Sequence, residues 1–197
     1  MSKITKESFL NDVKDHVMTI NVNLPNGYRH IVFSKPDTVV QRFEIVTTPS
    51  RLFYTGDMGS FTFGSEYSDM LYLFGNASDI NTGYWVEKCL ASDSATSGIY
   101  EFDADIYIDQ MVLYMEENNY SNECIEYFKD NSACMNNVEE FSDLLTKLNS
   151  DNHFDDQIDY ILYPEHTGYS FRFLWCLYAL NWGCRKFIES KKVRSNL

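Results

Sequence analysis

Basic residues are nearly missing from the middle of this chain. Between residues 65 and 170 only Lys88, Lys129 and Lys147 stand against 22 carboxylates, a local net charge of −19. Residues 1–64 hold 7 basic and 6 acidic side chains, residues 171–197 hold 6 and 1, and the whole chain carries −13. A field of one sign repels phosphates, so direct contact of this region with nucleic acid or an anionic membrane is excluded. What it draws in is a basic surface, by long-range attraction that salt weakens.

Other absences narrow the class further. Four prolines and nine glycines in 197 residues leave little room for a flexible linker. No run approaches the roughly 18–20 apolar residues of a membrane span, and the polar start MSKITKESFLNDVKDH lacks the apolar core of a signal peptide. A cytoplasmic protein is therefore expected. The five cysteines, Cys89, Cys124, Cys134, Cys176 and Cys184, are odd in number and contain no C-x2-C pair. They read as reduced, mostly buried thiols on helical segments rather than a disulfide frame or zinc site. The sequence has no phosphate-binding G-x4-G-K-[ST] or G-x-G-x-x-G, no G-x-S-x-G elbow and no H-E-x-x-H. No cofactor and no metal is implied, and nothing argues for an enzyme.

What is present is apolar and aromatic. Hydrophobic residues make up 44%, with 14 Tyr, 14 Phe and 3 Trp, enough to build a sizeable core. The length suits one compact domain over 1–197, with a mainly β subregion over 1–64 and a mainly helical one over 65–197. Residues 4–15 place Ile4, Phe9, Leu10 and Val13 at helical spacing, with Thr5 as N-cap candidate. VMTINVNL and YRHIVFSK flank Pro25-Asn26-Gly27, the signature of a β-hairpin. VVQRFEIVTT, RLFYTGD and SFTFG follow, separated by Pro49-Ser50 and Gly56-Asp57-Met58-Gly59, so four or five strands are expected in an antiparallel meander.

After residue 65 the period becomes helical. Ser68 or Asp69 caps a helix over MLYLF, and Asn81 or Thr82 caps another over YWVEKCLA. IYEFDADIYI alternates like a strand and passes into DQMVLYMEEN, with the switch expected near Asp105. Helices are expected over about 120–130 and 136–149, then a loop with one helical turn over DNHFDDQIDYILYPEHTG. The final segment from Phe171 is apolar nearly all round to Trp182, which in a soluble chain makes it a centrally buried helix with a basic, solvent-facing end. The fold class is α+β, an N-terminal antiparallel sheet covered by C-terminal helices.

Three segments invite a chemical reading. Gly56-Asp57-Met58-Gly59 would let the backbone approach a phosphate or a metal, though its plainer reading is a tight turn. His30 and Arg29 point to opposite sheet faces, and His30 is a candidate general base with Asp57 as its orienter and Glu87 nearby, against a plainer role as a sheet histidine. His153 and His166 flank Asp151, Asp155, Asp156, Asp159 and Glu165, a composition suited to a divalent metal but without a known ligand spacing, so a solvated acidic loop is favoured.

The strongest functional candidates are the carboxylates Glu101, Asp103, Asp105, Asp109, Glu116, Glu117, Glu123, Glu126, Glu139, Glu140 and Asp143. On helical segments they would mimic the phosphates of nucleic acid and occupy a basic channel. Tyr107, Tyr114, Tyr120, Tyr127, Tyr160 and Tyr163 lie among acids and would add contact area.

The succession Y28-R29-H30, P36, V46-T47, P49, G56-D57-M58-G59, D69-M70, I80-N81, Y84-W85, E87-K88 and finally F173-L174-W175-C176-L177-Y178-A179-L180 with W182-G183 resembles a family of small proteins encoded by tailed phages and prophages. The likeness spans about residues 16–187, with the acidic middle poorly matched, and departs from the family at Ser50, where glycine is usual. The resemblance implies a phage origin and, by analogy with other small acidic phage proteins, an inhibitor of host defence whose basic partner is a CRISPR effector nuclease. An enzyme acting on a nucleotide, a signalling molecule or RNA is the alternative.

Overall fold

The computed structural model describes residues 4–66, 69–93, 98–150 and 168–195. These form two compact units, one of residues 1–99 with 171–197 and the other of residues 100–170. The expected subregions, 1–64 and 65–197, group the residues differently from these units. The reason is packing: two helices after residue 65 and the last helix share a core with the sheet, whereas the acidic helices build a core of their own.

Unit 1 begins with α1, Lys6–Asp12, capped by Thr5 in a reciprocal box with Ser8. A six-stranded antiparallel sheet follows in strictly sequential order: β1 Val17–Asn23, β2 Arg29–Ser34, β3 Phe43–Thr48, β4 Arg51–Gly56, β5 Gly59–Gly64 and β6 Cys89–Ser92. The chain is thus α+β, with the meander one strand longer than the residues up to 64 supply. Between β1 and β2, Asn26 and Gly27 both take positive φ, 63° and 88°, the pair of dihedrals that makes Asn-Gly a hairpin turn. Residues 39–41 do not join β3. Gln41 turns back with φ of 57°, and Val39 and Val40 remain exposed. Ser50 adopts φ of 62°, a conformation that glycine takes without steric cost.

Two short helices, α2 Met70–Gly75 and α3 Thr82–Val86, are capped by Asp69 and Asn81. The helix expected over YWVEKCLA stops at Val86. Cys89–Ser92 instead pairs with β5 along Phe61–Phe63, because the open edge of β5 offers main-chain partners that local propensity does not register. Cys89 is therefore a strand residue, not a helical one.

Alternation places Ile31, Phe33, Phe43, Ile45, Leu52, Tyr54, Phe61 and Phe63 on one face, all buried. Against them lies α7, Phe171–Ser195, whose Phe173, Trp175, Cys176, Leu177, Ala179, Leu180, Cys184 and Phe187 are buried too. Of the C-terminal helices, α7 covers the sheet within unit 1, joined there by α1 and α2. Trp175 packs edge-on to Phe9 and Phe43 at 5.2 and 5.9 Å and donates to Asp12 over 2.9 Å. Close approach is set by glycine. A Cβ on Gly75 would lie 3.0 Å from the Cys184 carbonyl carbon, and one on Gly183 would meet the Phe33 ring at 3.0 Å. Two polar side chains of α7 reach the end of α2 and the residues just after it. Asn181 donates to the carbonyls of Phe74 (2.8 Å) and Ala77 (3.0 Å), and Arg185 donates to Ala77 as well.

In unit 2 a two-residue ladder pairs β7, Tyr100–Glu101, with β8, Gly168–Tyr169. Three helices lie between them in sequence: α4 Ala104–Glu117, α5 Asn122–Ser132 and α6 Val138–Ser150. The switch from strand to helix falls at Asp103 rather than Asp105, because the Asp103 side chain accepts from the Ile106 N–H and caps α4. The segment 151–167, with its histidine and acid cluster and its expected helical turn, lies outside the described residues. Among the described residues no helix is long and apolar enough to cross a membrane.

Asn181 is the hinge of the α2–α7 contact. Asn181→Leu keeps the volume but takes the donor from the buried Phe74 carbonyl and leaves the Ala77 carbonyl to Arg185 alone, and should lower the unfolding free energy by about 1–3 kcal/mol in urea titrations.

Candidate functional site

The acidic candidates all fall in unit 2, and the two units divide the charge sharply. Residues 100–170 carry 17 acidic and 2 basic side chains, net −15, whereas unit 1 carries 12 acidic and 14 basic, net +2. The helical period explains how so small a body tolerates this. Tyr107, Met111 and Met115 of α4, Cys124, Ile125 and Phe128 of α5, and Phe141, Leu144, Leu145 and Leu148 of α6 form one buried cluster. At about 100° per residue the carboxylates land opposite. Asp105, Asp109, Glu116 and Glu117 share an arc of ~120° on α4, Glu139, Glu140 and Asp143 one of ~100° on α6, and Glu123 and Glu126 one of ~60° on α5. Each of these side chains is exposed.

Two residues belong to the same arcs but were not singled out from the sequence. Asp130 is exposed seven residues after Glu123, and Leu113, 55% exposed, sits among the α4 acids. Their spacing of seven and four from flagged carboxylates was the available signal. Along α4 four carboxylates span ~18 Å of axis, a mean step of about 6 Å, wider than the rise of roughly 3.4 Å per phosphate along one nucleic-acid strand.

Not all the acids are equally free for an outside contact. Asp103 caps α4, and Glu140 accepts from the Asn136 N–H at 2.9 Å. Lys129 approaches Glu126 to 3.2 Å. Asp105, Glu123, Glu139 and Glu140 occupy first helical turns, where the helix dipole welcomes negative charge. Glu116 and Glu117 occupy the last turn of α4, which holds no basic residue. There the dipole opposes them, so folding alone gives no reason for this pair.

The tyrosines divide. Tyr107 is fully buried and packs at 4.8 Å from Phe141, so it is core rather than contact surface, and burial pushes its hydroxyl up to about 12. Tyr114 and Tyr120 are half-buried with rings 6.3 Å apart, and Tyr127 is half-buried on α5. Tyr160 and Tyr163 lie outside the described residues.

The alternative site does not assemble as proposed. His30 and Arg29 do point to opposite faces. His30 Nε2 lies 2.5 Å from Glu44 Oε2, across the diagonal from its strand partner Val46, and Arg42 approaches the same carboxylate to 3.6 Å. Asp57 sits in the β4–β5 turn, where Gly56 pairs with Phe43, three residues along β3 from Val46. Its Oδ2 accepts from the Gln41 N–H at 2.8 Å and its carbonyl from Arg172, so Gly56-Asp57-Met58-Gly59 is a hairpin turn braced by its own aspartate. Glu87 is the exposed C-cap of α3. Glu44 escaped notice because only the β2–β3 register brings it to His30. Arg29, on the helix side, is gripped by Asp69 through two hydrogen bonds of 3.0 and 2.6 Å, and Asp69 also caps α2. That pair ties β2 to α2 and is structural.

The cysteines are free, with Cys124, Cys176 and Cys184 buried, Cys89 partly buried and Cys134 exposed. Burial pushes the Cys176 thiol up to about 12 and raises Cys184 and Tyr54 as well. Burial thus keeps these groups protonated and makes them poor nucleophiles. Compared with protein-family models, curated proteins and solved structures, the chain matches none of them.

Groups held neutral by burial impose a pH dependence. Cys176 has an ordinary value of 9.0 and Tyr107 one of 10.0, and both stand at about 12 in the fold. The unfolded chain loses these protons first, so stability is complete below about pH 9 and falls as pH rises toward 12. Urea midpoints measured across this window should decline, and Tyr107→Phe should flatten the decline above pH 10.

Proposed function

We propose that this chain is a non-enzymatic inhibitor that binds a basic, nucleic-acid-handling protein through unit 2. Its carboxylate arcs take the place of a phosphate backbone. The observation that carries the reading is the placement of Glu116 and Glu117 at the unfavourable end of α4, within an arc that continues Asp105 and Asp109. Charge kept where the fold disfavours it is explained by an external cation. Complementary potentials would give fast association and strong salt dependence. The resemblance to phage proteins narrows the target to a host defence complex, a CRISPR effector nuclease in particular, met in the host cytoplasm.

Inhibition of DNA cleavage by purified CRISPR effector nucleases tests the reading. Inhibition should compete with DNA and weaken as salt rises. Glu116→Lys, Glu117→Lys, Glu123→Lys and Glu126→Lys combined should weaken it about 100-fold. The two α4 reversals alone should raise the unfolding free energy by a few tenths of a kcal/mol, because they relieve the dipole conflict. Binding lost while stability rises separates contact from folding. Undiminished inhibition by the quadruple variant would sink the electrostatic mechanism, and DNA cleavage untouched by the wild-type chain would remove these nucleases as targets.

A second reading, an enzyme acting on a nucleotide, a signalling molecule or RNA, rests on the His30–Glu44 contact, since a carboxylate beside imidazole is the geometry that orients a general base. Turnover of such a substrate that disappears in His30→Ala would favour it.

A further inference from the structure

β1 is the outer strand of the sheet, and its side away from β2 pairs with no strand among the described residues. Such edges are ordinarily blunted by charge or proline. β1 has neither, and Val17 and Val22 are 57% and 39% exposed. Its one irregularity is a bulge: Ile20 pairs with Ile31 and Val22 with His30, leaving Asn21 inserted. A one-residue insertion reverses every side chain beyond it. Val22 therefore joins His30 on the face away from α7, and Asn23 rather than a branched apolar side chain follows Ile20 on the helix side. Beside this reversal lies a cavity of about 300 Å³ lined by Met18, Ile20, Asn23, Ser190 and Lys191. Its floor is apolar and its wall carries a cation. The Lys191 ammonium stands 5.3 Å from the Phe187 ring and pairs with no carboxylate among the described residues.

We propose that β1 accepts an extended acidic peptide as a seventh strand, with an aliphatic side chain seated on Met18 and Ile20 and a carboxylate facing Lys191. Main-chain hydrogen bonds along the edge supply affinity, and the cavity supplies selectivity. The order of the wall sets the order of the ligand. Met18 and Ile20 precede Asn23 along β1, and an antiparallel partner runs the opposite way, so its acid precedes its aliphatic residue. Side chains two apart share a face, which makes the recognised unit acid-x-aliphatic. A second copy of β1 is disfavoured as the occupant, because Val17–Asn23 contains no carboxylate to offer Lys191. This surface belongs to unit 1 and does not depend on the reading of unit 2.

A fluorescein-labelled, serine- and threonine-rich peptide with one Asp-Thr-Ile step is the probe, titrated into the full chain by anisotropy with amide hydrogen exchange in parallel. Saturable binding is expected, with exchange slowed in residues 17–23. Affinity should fall about tenfold in Lys191→Glu, in Ser190→Leu, which fills the cavity, and for the peptide with Lys in place of Asp. The peptide exchange leaves the protein untouched, so it decides the matter even if a variant misfolds. Unchanged exchange in β1, or equal affinity for the Asp and Lys peptides, would overturn the proposal. Slowed exchange in β1 that grows with protein concentration and needs no peptide would overturn it in favour of a second copy.

Discussion

The need to hide more than half the circumference of α7 from water organises unit 1. Phe173, Trp175, Cys176, Leu177, Ala179 and Leu180 are each buried, and at about 100° per residue they spread over ~200° of the helix. One flat surface cannot cover such a helix. The sheet takes one side through Phe33, Phe43 and Phe61, Phe9 of α1 a second, and α2 a third at the glycine crossing of Gly75. The polar residues that α7 retains in this region, Asn181 and Arg185, answer the carbonyls at the end of α2. Burial on this scale, at about 25 cal/mol per Å² of apolar surface, dominates anything the surface charges of unit 1 contribute.

Unit 2 balances differently. Its core of Tyr107, Met111, Met115, Phe128, Phe141 and the α6 leucines must offset the mutual repulsion of a body with net charge −15. Helical periodicity resolves part of the conflict by sending apolar and acidic residues to opposite arcs, and N-terminal acids gain from the dipoles. The acids at the C-terminal end of α4 gain nothing comparable within the fold. A surface organised in this way trades stability for potential, which keeps a body soluble and draws surfaces of opposite sign.

The fold is legible in the sequence where the signal is local. The Asn-Gly hairpin, the caps Thr5, Asp69 and Asn81, the α5 and α6 stripes and the buried last helix were legible because turn dihedrals, orphan N–H groups and the 3.6-residue period act over a few residues. Residues 89–91 look helical in sequence because their strand exists only beside β5. The acid arcs were legible as composition and, in part, as spacing, although Asp130 and Leu113 were passed over.

Composition and short-range pattern by themselves determined that this is an α+β chain with an aromatic core, an acidic middle and a helix that must be buried, since solvation and local sterics depend on neighbours in sequence. Only the tertiary structure decided that the acidic excess falls in a separately packed unit, that His30 meets Glu44 and not Asp57, and that a bulge in β1 opens beside Lys191. Those facts rest on strand register and on packing between residues tens of positions apart, and no local preference encodes either.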